Sequence, residues 1–401
     1  MLLIVDFGDI IMKLIDRSLY TEKLMSYIGS REIKSLTGIR GAGKTSILNI
    51  FRQKMLDRDI STDKIICIDF EQPEFAFITD SVVFYEYITE RLNQNEQYFL
   101  ILDEVHNVKD WQKVVVALKL DFKVDIYLSS SGRNIINEEF ISQLEHKPIE
   151  IEVLPLSFKE YQKFTTANRS FDDYLNGGGM PVTSQYLKDV LYSIMAQDVF
   201  IPNKIADNSM MMLLIKILCS EMGMVHSFNS IGKILNEFVD KAPAVKTIEN
   251  YINMLLEARI FYSVPVFDFK NAHSLTRYAK YYPVDLGFCN LMTSNKNIHD
   301  IHALENIVHF ELLRLGVKVS TCKVGSKKVA FLAESEDNKI YIHVTDSLRD
   351  HDEKYNKKEI FEPLRAISDH YSKWVLTLDK GSTHSEDGIR ISNIVDFLLE
   401  E

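Results

Sequence analysis

The densest chemistry in the chain lies in eight consecutive residues, Gly38-Ile39-Arg40-Gly41-Ala42-Gly43-Lys44-Thr45, followed by Ser46. They fit the pattern G-x-x-x-x-G-K-[ST]. Glycines let such a loop turn until its backbone N–H groups point inward at phosphate oxygens. A helix beginning at Thr45 adds its positive N-terminal end. In this arrangement Lys44 reaches β- and γ-phosphates, and the Thr45 hydroxyl binds Mg²⁺. The expected ligand is ATP or ADP with Mg²⁺. A second cluster follows, Tyr98-Phe99-Leu100-Ile101-Leu102-Asp103-Glu104. A buried strand there delivers two carboxylates at its C-terminal end, where open α/β sheets place ligands. Asp103 is expected to hold Mg²⁺, and Glu104 to act as general base on the attacking water. Downstream, Ser129-Ser130-Ser131 closes another apolar run. Ser130 is the candidate for sensing the γ-phosphate; the competing reading is a strand-end turn with capping serines. Glu71 also follows a strand, either at the site or solvated.

These residues need a scaffold that brings strand ends together. The first third of the chain alternates strands and helices. Strands are expected over 33–37, 65–70, 98–102, 124–129 and 149–154, and helices over 45–56, 82–92 and 110–120. That alternation implies an α/β fold, a parallel sheet with helices on both faces. The pattern breaks at Asn176-Gly177-Gly178-Gly179-Met180-Pro181, a loop by composition. Helices follow over 186–195 and 210–222, with Met210–Met212 as core filler. Then come helices over 230–238, N-capped by Asn229 or Ser230, and over 245–258, and a β-type run over 260–267. Three helices and a hairpin is the order of a winged helix. Lys246, Asn250, Asn253 and Arg259 give its third helix a polar side, facing DNA or solvent. The remainder reads as a small α/β unit: helices over 304–315, 359–369 and 394–399, and strands over 329–333, 340–344 and 374–378. The expected division is 1–170, a phosphate-loop core; 171–208, a helical linker; 209–298, the winged helix; and 299–401, the terminal α/β domain.

Composition narrows the setting. The chain has 401 residues, 46% apolar and 26% charged, which is ordinary for a globular protein. With 46 Lys and Arg against 57 Asp and Glu, the net charge is −11, which argues against general coating of nucleic acid. A local basic face remains open. Cys67, Cys219, Cys289 and Cys322 are far apart in sequence, without zinc or disulfide spacing, and fit a reducing, cytoplasmic setting. Asp6 and Asp9 interrupt the apolar start, so it does not fit a secretory signal, and Met12 offers an alternative start. No apolar run is long enough for a membrane span.

The motifs together resemble the prokaryotic AAA-type ATPases that carry a C-terminal DUF4143 domain. The resemblance rests on the Gly-Ile-Arg entry to the phosphate loop and on Leu102-Asp103-Glu104-Val105-His106-Asn107-Val108-Lys109-Asp110-Trp111. It extends through Pro155-Leu156-Ser157-Phe158-Lys159-Glu160-Tyr161, Gly178-Gly179-Met180-Pro181, Lys280-Tyr281-Tyr282-Pro283-Val284-Asp285-Leu286-Gly287 and Leu304-Glu305-Asn306. It implies an ATPase core, a winged helix and a C-terminal domain similar to restriction endonucleases, with DNA or a protein as partner. Two arginines usual in that family are missing: the stretch before Pro155 reads Glu145-His146-Lys147-Pro148, and Pro202 follows the linker helix. Lysine cannot replace a guanidinium fork, so slow hydrolysis is expected. Arg133 is the nearest substitute.

The same resemblance implies where a nuclease site would sit. That fold needs an aspartate on one strand and Glu-x-Lys on the next to hold Mg²⁺ and orient water. Here the strand Lys328-Val329-Ala330-Phe331 offers Ala330 for the aspartate, and the next offers His343 and Thr345. Only Glu305 survives, read as a solvated helix residue. A two-residue slip would bring in Glu334 or Asp346. Nuclease activity is therefore not expected. The alternatives to an ATPase are a non-hydrolysing ATP switch and a nucleotide-dependent nuclease.

Overall fold

The computed structural model describes residues 4–6, 11–13, 15–131, 135–164, 170–180, 184–205, 207–293, 301–348, 357–381 and 383–400. It separates into two compact units, Met1–Val153 and Leu154–Glu401.

In the first unit, β1 (Ile4–Asp6) and β2 (Ile11–Lys13) form an antiparallel pair ahead of α1 (Ser18–Ser26). The main sheet comprises β3 (Lys34–Gly38), β4 (Ile65–Asp69), β5 (Tyr98–Asp103), β6 (Val124–Ser131) and β7 (Ile149–Glu152). All are parallel, in the order β4-β5-β6-β3-β7. The connecting helices are α2 (Lys44–Leu56), α3 (Ser81–Thr89), α4 (Trp111–Asp121) and the short α5 (Glu138–Ser142). Every residue of β5 is buried, as an unbroken apolar run between two helical layers requires. Helix α2 buries Ile47, Leu48, Phe51 and Met55, the one-sided spacing of a helix on a sheet. The Phe51 ring meets Tyr127 of β6 at 4.6 Å between centroids. Asp80 fixes the start of α3 by accepting from the N–H groups of Val82 and Val83. The expected α/β sheet is present, with strand ends within two residues of the sequence reading.

The second unit opens with α6 (Phe158–Phe164) and α7 (Phe171–Gly177), the latter capped by a reciprocal Ser170–Asp173 box. Helix α8 (Ser184–Ile194) runs on through a π-helical stretch, Met195–Phe200, into the short turn α9 (Ile201–Asn203). Helices α10 (Asn208–Ser220), α11 (Phe228–Leu235) and α12 (Val245–Glu257) lead into a hairpin, β8 (Phe261–Asp268) with β9 (His273–Pro283). The cap of α11 is Ser227, paired reciprocally with Ser230 and so earlier than expected, because Ser230 serves as the third helical residue. After α13 (Leu286–Thr293) and α14 (Ile301–Arg314) come β10 (Lys318–Val324), β11 (Lys327–Glu334), β12 (Lys339–Val344), α15 (Lys357–Arg365), β13 (Ser372–Thr377), β14 (His384–Glu386), β15 (Ile389–Asn393) and α16 (Ile394–Leu399).

The sheet bears on the expected boundaries. The hairpin and the later strands form one eight-stranded sheet, β14-β15-β13-β12-β11-β10-β8-β9. Strand β10, which the sequence reading did not find, pairs in parallel with β8 through Thr321↔Val266, Cys322↔Phe267 and Lys323↔Asp268. Its run Ser320-Thr321-Cys322-Lys323 is too polar to read as a core strand, yet Ser320, Thr321 and Cys322 are buried. The sheet spans the expected boundary at 298, and the contact division of the chain falls between Val153 and Leu154. Cys219 and Cys289, far apart in sequence, are neighbours in space: the Cys289 thiol donates to the Cys219 carbonyl at 3.4 Å.

Two buried acids organise this unit. Asp285 accepts from the N–H groups of Gly179 (2.7 Å), Met180 (2.9 Å) and Gly287 (2.8 Å), tying two distant loops together. Gly178 adopts φ +78°, and a Cβ there would meet Asp285 Oδ1 at 1.9 Å, so only glycine fits. Burial pushes the Asp285 carboxyl up to about 6 against those three donors. Glu305 on α14 is the second acid, and it is not solvated: it is 6% exposed. It binds Lys280 Nζ at 2.8 Å, Tyr282 Oη at 2.7 Å and His302 Nδ1 at 3.3 Å. His309 stacks on Tyr282 and Phe331 nearby, with both ring nitrogens lacking hydrogen-bond partners.

Burial, with Lys280 adding to it, holds His309 down to about 3. Burial likewise holds His343 down to about 4; Glu305 opposes the shift and Lys280 adds to it. An unfolded chain carries histidines that titrate near 6.5. Below that pH the unfolded state takes up protons that the folded state refuses, so stability present above pH 6.5 is lost as pH falls toward 4. At pH 5 the cost from His309 is about 2 kcal/mol at about 1.4 kcal/mol per pH unit. His309→Phe is expected to flatten the pH dependence of urea unfolding between pH 7.5 and 5 by that amount. An unchanged slope would show that His309 is paired or hydrated when folded.

Candidate functional site

The sheet order sets the site. Strand β6 lies between β3, which leads into the phosphate loop, and β5, which carries the acid pair. The serines that end β6 therefore stand between the loop lysine and the two carboxylates. Lys44, 4% exposed, donates to Ser131 Oγ at 2.7 Å and to the carbonyls of Gly38 (3.1 Å) and Ile39 (3.3 Å). Its Nζ is 3.5 Å from Glu104 Oε1. The Glu104 carboxylate accepts from the Ser131 amide at 2.7 Å and from the Ser131 hydroxyl. Ser129 donates its hydroxyl to Asp103 Oδ1 and accepts from the Glu104 amide at 3.0 Å. Ser130 instead meets His106 Nδ1 at 3.1 Å.

The three serines thus have three jobs. Alternate residues of a strand face opposite ways, so Ser129 and Ser131 share one face and Ser130 takes the other. The sequence reading chose Ser130 as the phosphate sensor; Ser131 is the serine beside Lys44 and Glu104. Glu104 is also held by its backbone, at φ 52° in the left-handed region, costly for a residue with a Cβ. A short 3₁₀ turn, Val105–Asn107, follows at once. Gly43 (φ 93°) takes the same region where the phosphate loop enters α2.

Burial dominates the electrostatics. It lowers the Lys44 ammonium below its ordinary range, only partly offset by Glu104 and Asp103. It pushes Asp103 up to about 6, against the Ser129 and Thr45 hydroxyls that favour the charged form. It also raises Glu104, but Lys44, the Ser131 bonds and His106 outweigh it, leaving that carboxyl below its usual range. Asp103 Oδ2 is buried without a hydrogen bond. A buried carboxylate oxygen left without a hydrogen bond, on an acid whose carboxyl also interacts with the Thr45 hydroxyl, suits a hard cation, which takes oxygen donors and keeps several waters.

The other expected residues fall around this centre. Gly41 and Thr45 are exposed, Gly43, Ser46 and Arg40 half-buried, and Gly38, Ile39 and Ala42 buried. Arg40 pairs with Glu71 Oε1 at 2.5 Å, which places Glu71 beside the phosphate loop through an ion pair. Arg133 lies outside the described residues. The sequence reading missed Arg17, just before α1, whose buried guanidinium donates to the Ala42 carbonyl at 2.8 Å and lies 4.6 Å from the Tyr20 ring centroid. No local pattern marks an arginine 25 residues ahead of its partner.

In the second unit, Ala330 is buried on β11, His343 sits on β12 and Thr345 is buried just beyond it. Glu334 pairs with Lys339 at 2.7 Å, and Asp346 accepts from the Ser347 amide at 2.8 Å. Glu305 is taken by Lys280. Among the described residues, no group of three or more His, Cys, Asp or Glu is arranged to hold a metal ion, and no helix is long and apolar enough to cross a membrane.

With this geometry in hand, comparison with known proteins is direct. Residues 30–162 match an AAA domain. The match spans the phosphate loop, the acid pair and the three serines, and with the five-stranded parallel sheet it supports a nucleotide-binding P-loop fold for the first unit. Residues 168–299 match a domain of unknown function (DUF8612), a family other than the DUF4143 domain implied by the resemblance. An uncharacterized protein of Haemophilus influenzae is 28% identical over 404 residues, covering 96% of this chain and 99% of its own. An uncharacterized protein of Methanocaldococcus jannaschii is 27% identical over 309 residues, 71% of this chain and 67% of its own. Among solved structures, a Walker-type ATPase of Pyrococcus abyssi aligns at TM-score 0.46 and 12% identity, over 69% of this chain and 95% of that one. AMPPCP-bound DnaA from Aquifex aeolicus aligns at TM-score 0.29 and 15% identity, over 64% and 90%.

Removing the buried ammonium tests the binding half of the site. Lys44→Ala is expected to weaken a fluorescent ATP analogue by about tenfold to a hundredfold, the worth of a charge-assisted bond. Far-UV circular dichroism should be unchanged. Wild-type affinity in a folded Lys44→Ala protein would remove Lys44 from the binding site.

Proposed function

We propose that this chain is a Mg²⁺-dependent ATPase whose nucleotide state acts on the helices and sheet of its second unit. The carrying observation is the convergence of Lys44, Ser131 and Glu104 beside Asp103 and Thr45. Lys44 and the backbone N–H groups from Gly41 to Ser46 bind the phosphates. Lys44 gives up the carbonyls of Gly38 and Ile39 and turns to the β- and γ-phosphate oxygens. Thr45 and Asp103 hold the metal, Asp103 through its orphaned Oδ2. Mg²⁺ held there would supply positive charge to offset the negative charge that builds on the phosphoryl oxygens. Glu104 accepts a proton from the water that attacks the γ-phosphorus, and Ser131 orients that carboxylate. Turnover is slow unless a guanidinium, from Arg133 of this chain or from a partner, meets the charge on the transferring phosphoryl group.

As part of this proposal, we read α10, α11, α12 and the β8–β9 hairpin as a winged helix, and the later strands as an endonuclease-like unit lacking most of its acids. The role that fits is interaction with DNA or a protein, not cleavage. Lys246 and Asn250 of α12 and Lys270 and Arg277 of the hairpin are exposed. Lys246 already pairs with Glu249 at 3.0 Å, and Arg259 is half-buried, which leaves a small basic surface. DNA binding through it is weak, since few phosphates are neutralised, and being electrostatic it declines as salt is raised.

Glu104→Gln is expected to keep nucleotide binding and lose about two or more orders of magnitude in turnover. Phosphate release with and without duplex DNA, at low and physiological salt, measures both parts. Wild-type turnover equal to that of Glu104→Gln would reduce the protein to a non-hydrolysing switch. DNA binding that is tight and insensitive to salt would contradict the small basic surface.

A further inference from the structure

His106 lies just beyond the acid pair, in a motif to which the ATPase reading assigns no role. The 3₁₀ turn Val105–Asn107 folds its ring back toward the residue two places earlier. His106 Nδ1 lies 3.3 Å from Glu104 Oε2 and 3.1 Å from Ser130 Oγ. An anionic oxygen at that distance favours the tautomer with the proton on Nδ1. The Ser130 hydroxyl also faces the Ser131 carbonyl at 3.4 Å, which lets it donate there and present a lone pair to the ring. The side chain of His106 is 24% exposed, so the ring borders the site and is not sealed in the core.

The two oxygens of Glu104 are held unequally. Oε2 accepts from the Ser131 amide and has His106 Nδ1 3.3 Å away; Oε1 accepts from the Ser131 hydroxyl and has the Lys44 ammonium 3.5 Å away. The Oε1 partners are mobile, because Lys44 is drawn to phosphate and a hydroxyl rotates. Those on Oε2 are a backbone amide and a ring fixed by a short turn.

We propose that His106 is a positioning residue for Glu104. It pins Oε2 while Oε1 receives the proton from water, and Ser130 fixes the His106 ring in turn. The proposal rests on the ATPase reading above. A base displaced by a fraction of an ångström loses rate and not nucleotide affinity, because Glu104 works on water and not on the nucleotide.

The test uses the full chain and compares wild type, Glu104→Gln, His106→Ala, His106→Asn, Ser130→Ala and the Ser130→Ala/His106→Ala double variant. Single-turnover ATP hydrolysis and ATP affinity are measured for each. His106→Ala should slow hydrolysis by about 10- to 100-fold with ATP affinity within about twofold. His106→Asn, whose amide nitrogen can occupy the place of Nδ1, should recover most of that rate. The double variant should be no slower than His106→Ala, since the two side chains act in series. If wild type hydrolyses ATP, Glu104→Gln does not, and His106→Ala matches wild type, the positioning role is overturned and the ATPase reading stands. Loss of affinity in proportion to rate, or no recovery in His106→Asn, overturns it as well. If wild type is no faster than Glu104→Gln, the ATPase reading fails and the role of His106 fails with it.

Discussion

The first unit is organised around one buried cation. The Lys44 ammonium is nearly out of water, and an isolated charge in that position would be very costly. Two carbonyls, one hydroxyl and one carboxylate surround it. To supply them, β3 must end where β6 ends, and the acid of β5 must reach across β6. The insertion of β6 between the other two strands allows this. It also explains why a run of small hydroxyl residues closes β6: anything larger would fill the space that phosphate must enter. The cluster of Lys44, Ser131 and Glu104 meets its own charges internally.

The second unit handles buried charge in a related way, but without an opening. Lys280 and Glu305 neutralise each other, with Tyr282 and His302 adding hydrogen bonds. Breaking such a pair strands the remaining charge, so both members are fixed by the cost of losing either. Asp285 does the same for the Gly178-Gly179-Met180 loop, using three backbone donors in place of a cation. These contacts give a physical basis to motifs that a sequence shows only as recurring words: the glycines leave room for a carboxylate that arrives from more than a hundred residues away.

Much of the nucleotide site was legible because its chemistry is local. A glycine-rich loop between a strand and a helix, and an apolar run ending in two acids, each announce themselves within ten residues. What escaped was set by geometry between elements. The pleat of β6 decides that Ser131 and not Ser130 faces Lys44, and three identical residues cannot reveal their phase. Arg17 reaches the phosphate loop from an unremarkable segment. Glu305 read as solvated because its partner Lys280 lies on another element, and β10 escaped because its buried face carries Ser320 and Thr321. The expected boundary at 298 hides a shared sheet for a related reason: composition changes there, but the hydrogen bonding of β8 to β10 runs across it.

The shared eight-stranded sheet bears on how the chain could be taken apart. Strand β8 has β9 on one side and β10 on the other. A fragment ending before β10 would leave the backbone N–H and C=O groups of β8 open along one edge, a template on which another chain can add a strand. The complementary fragment would carry β10 with the same bare edge. Neither piece would keep a finished edge, so the hairpin and the terminal strands are expected to fold and unfold together as one cooperative block. An engineer seeking to exchange modules in this protein would do better to cut before the second unit than beside the hairpin, where the cut would bare both edges.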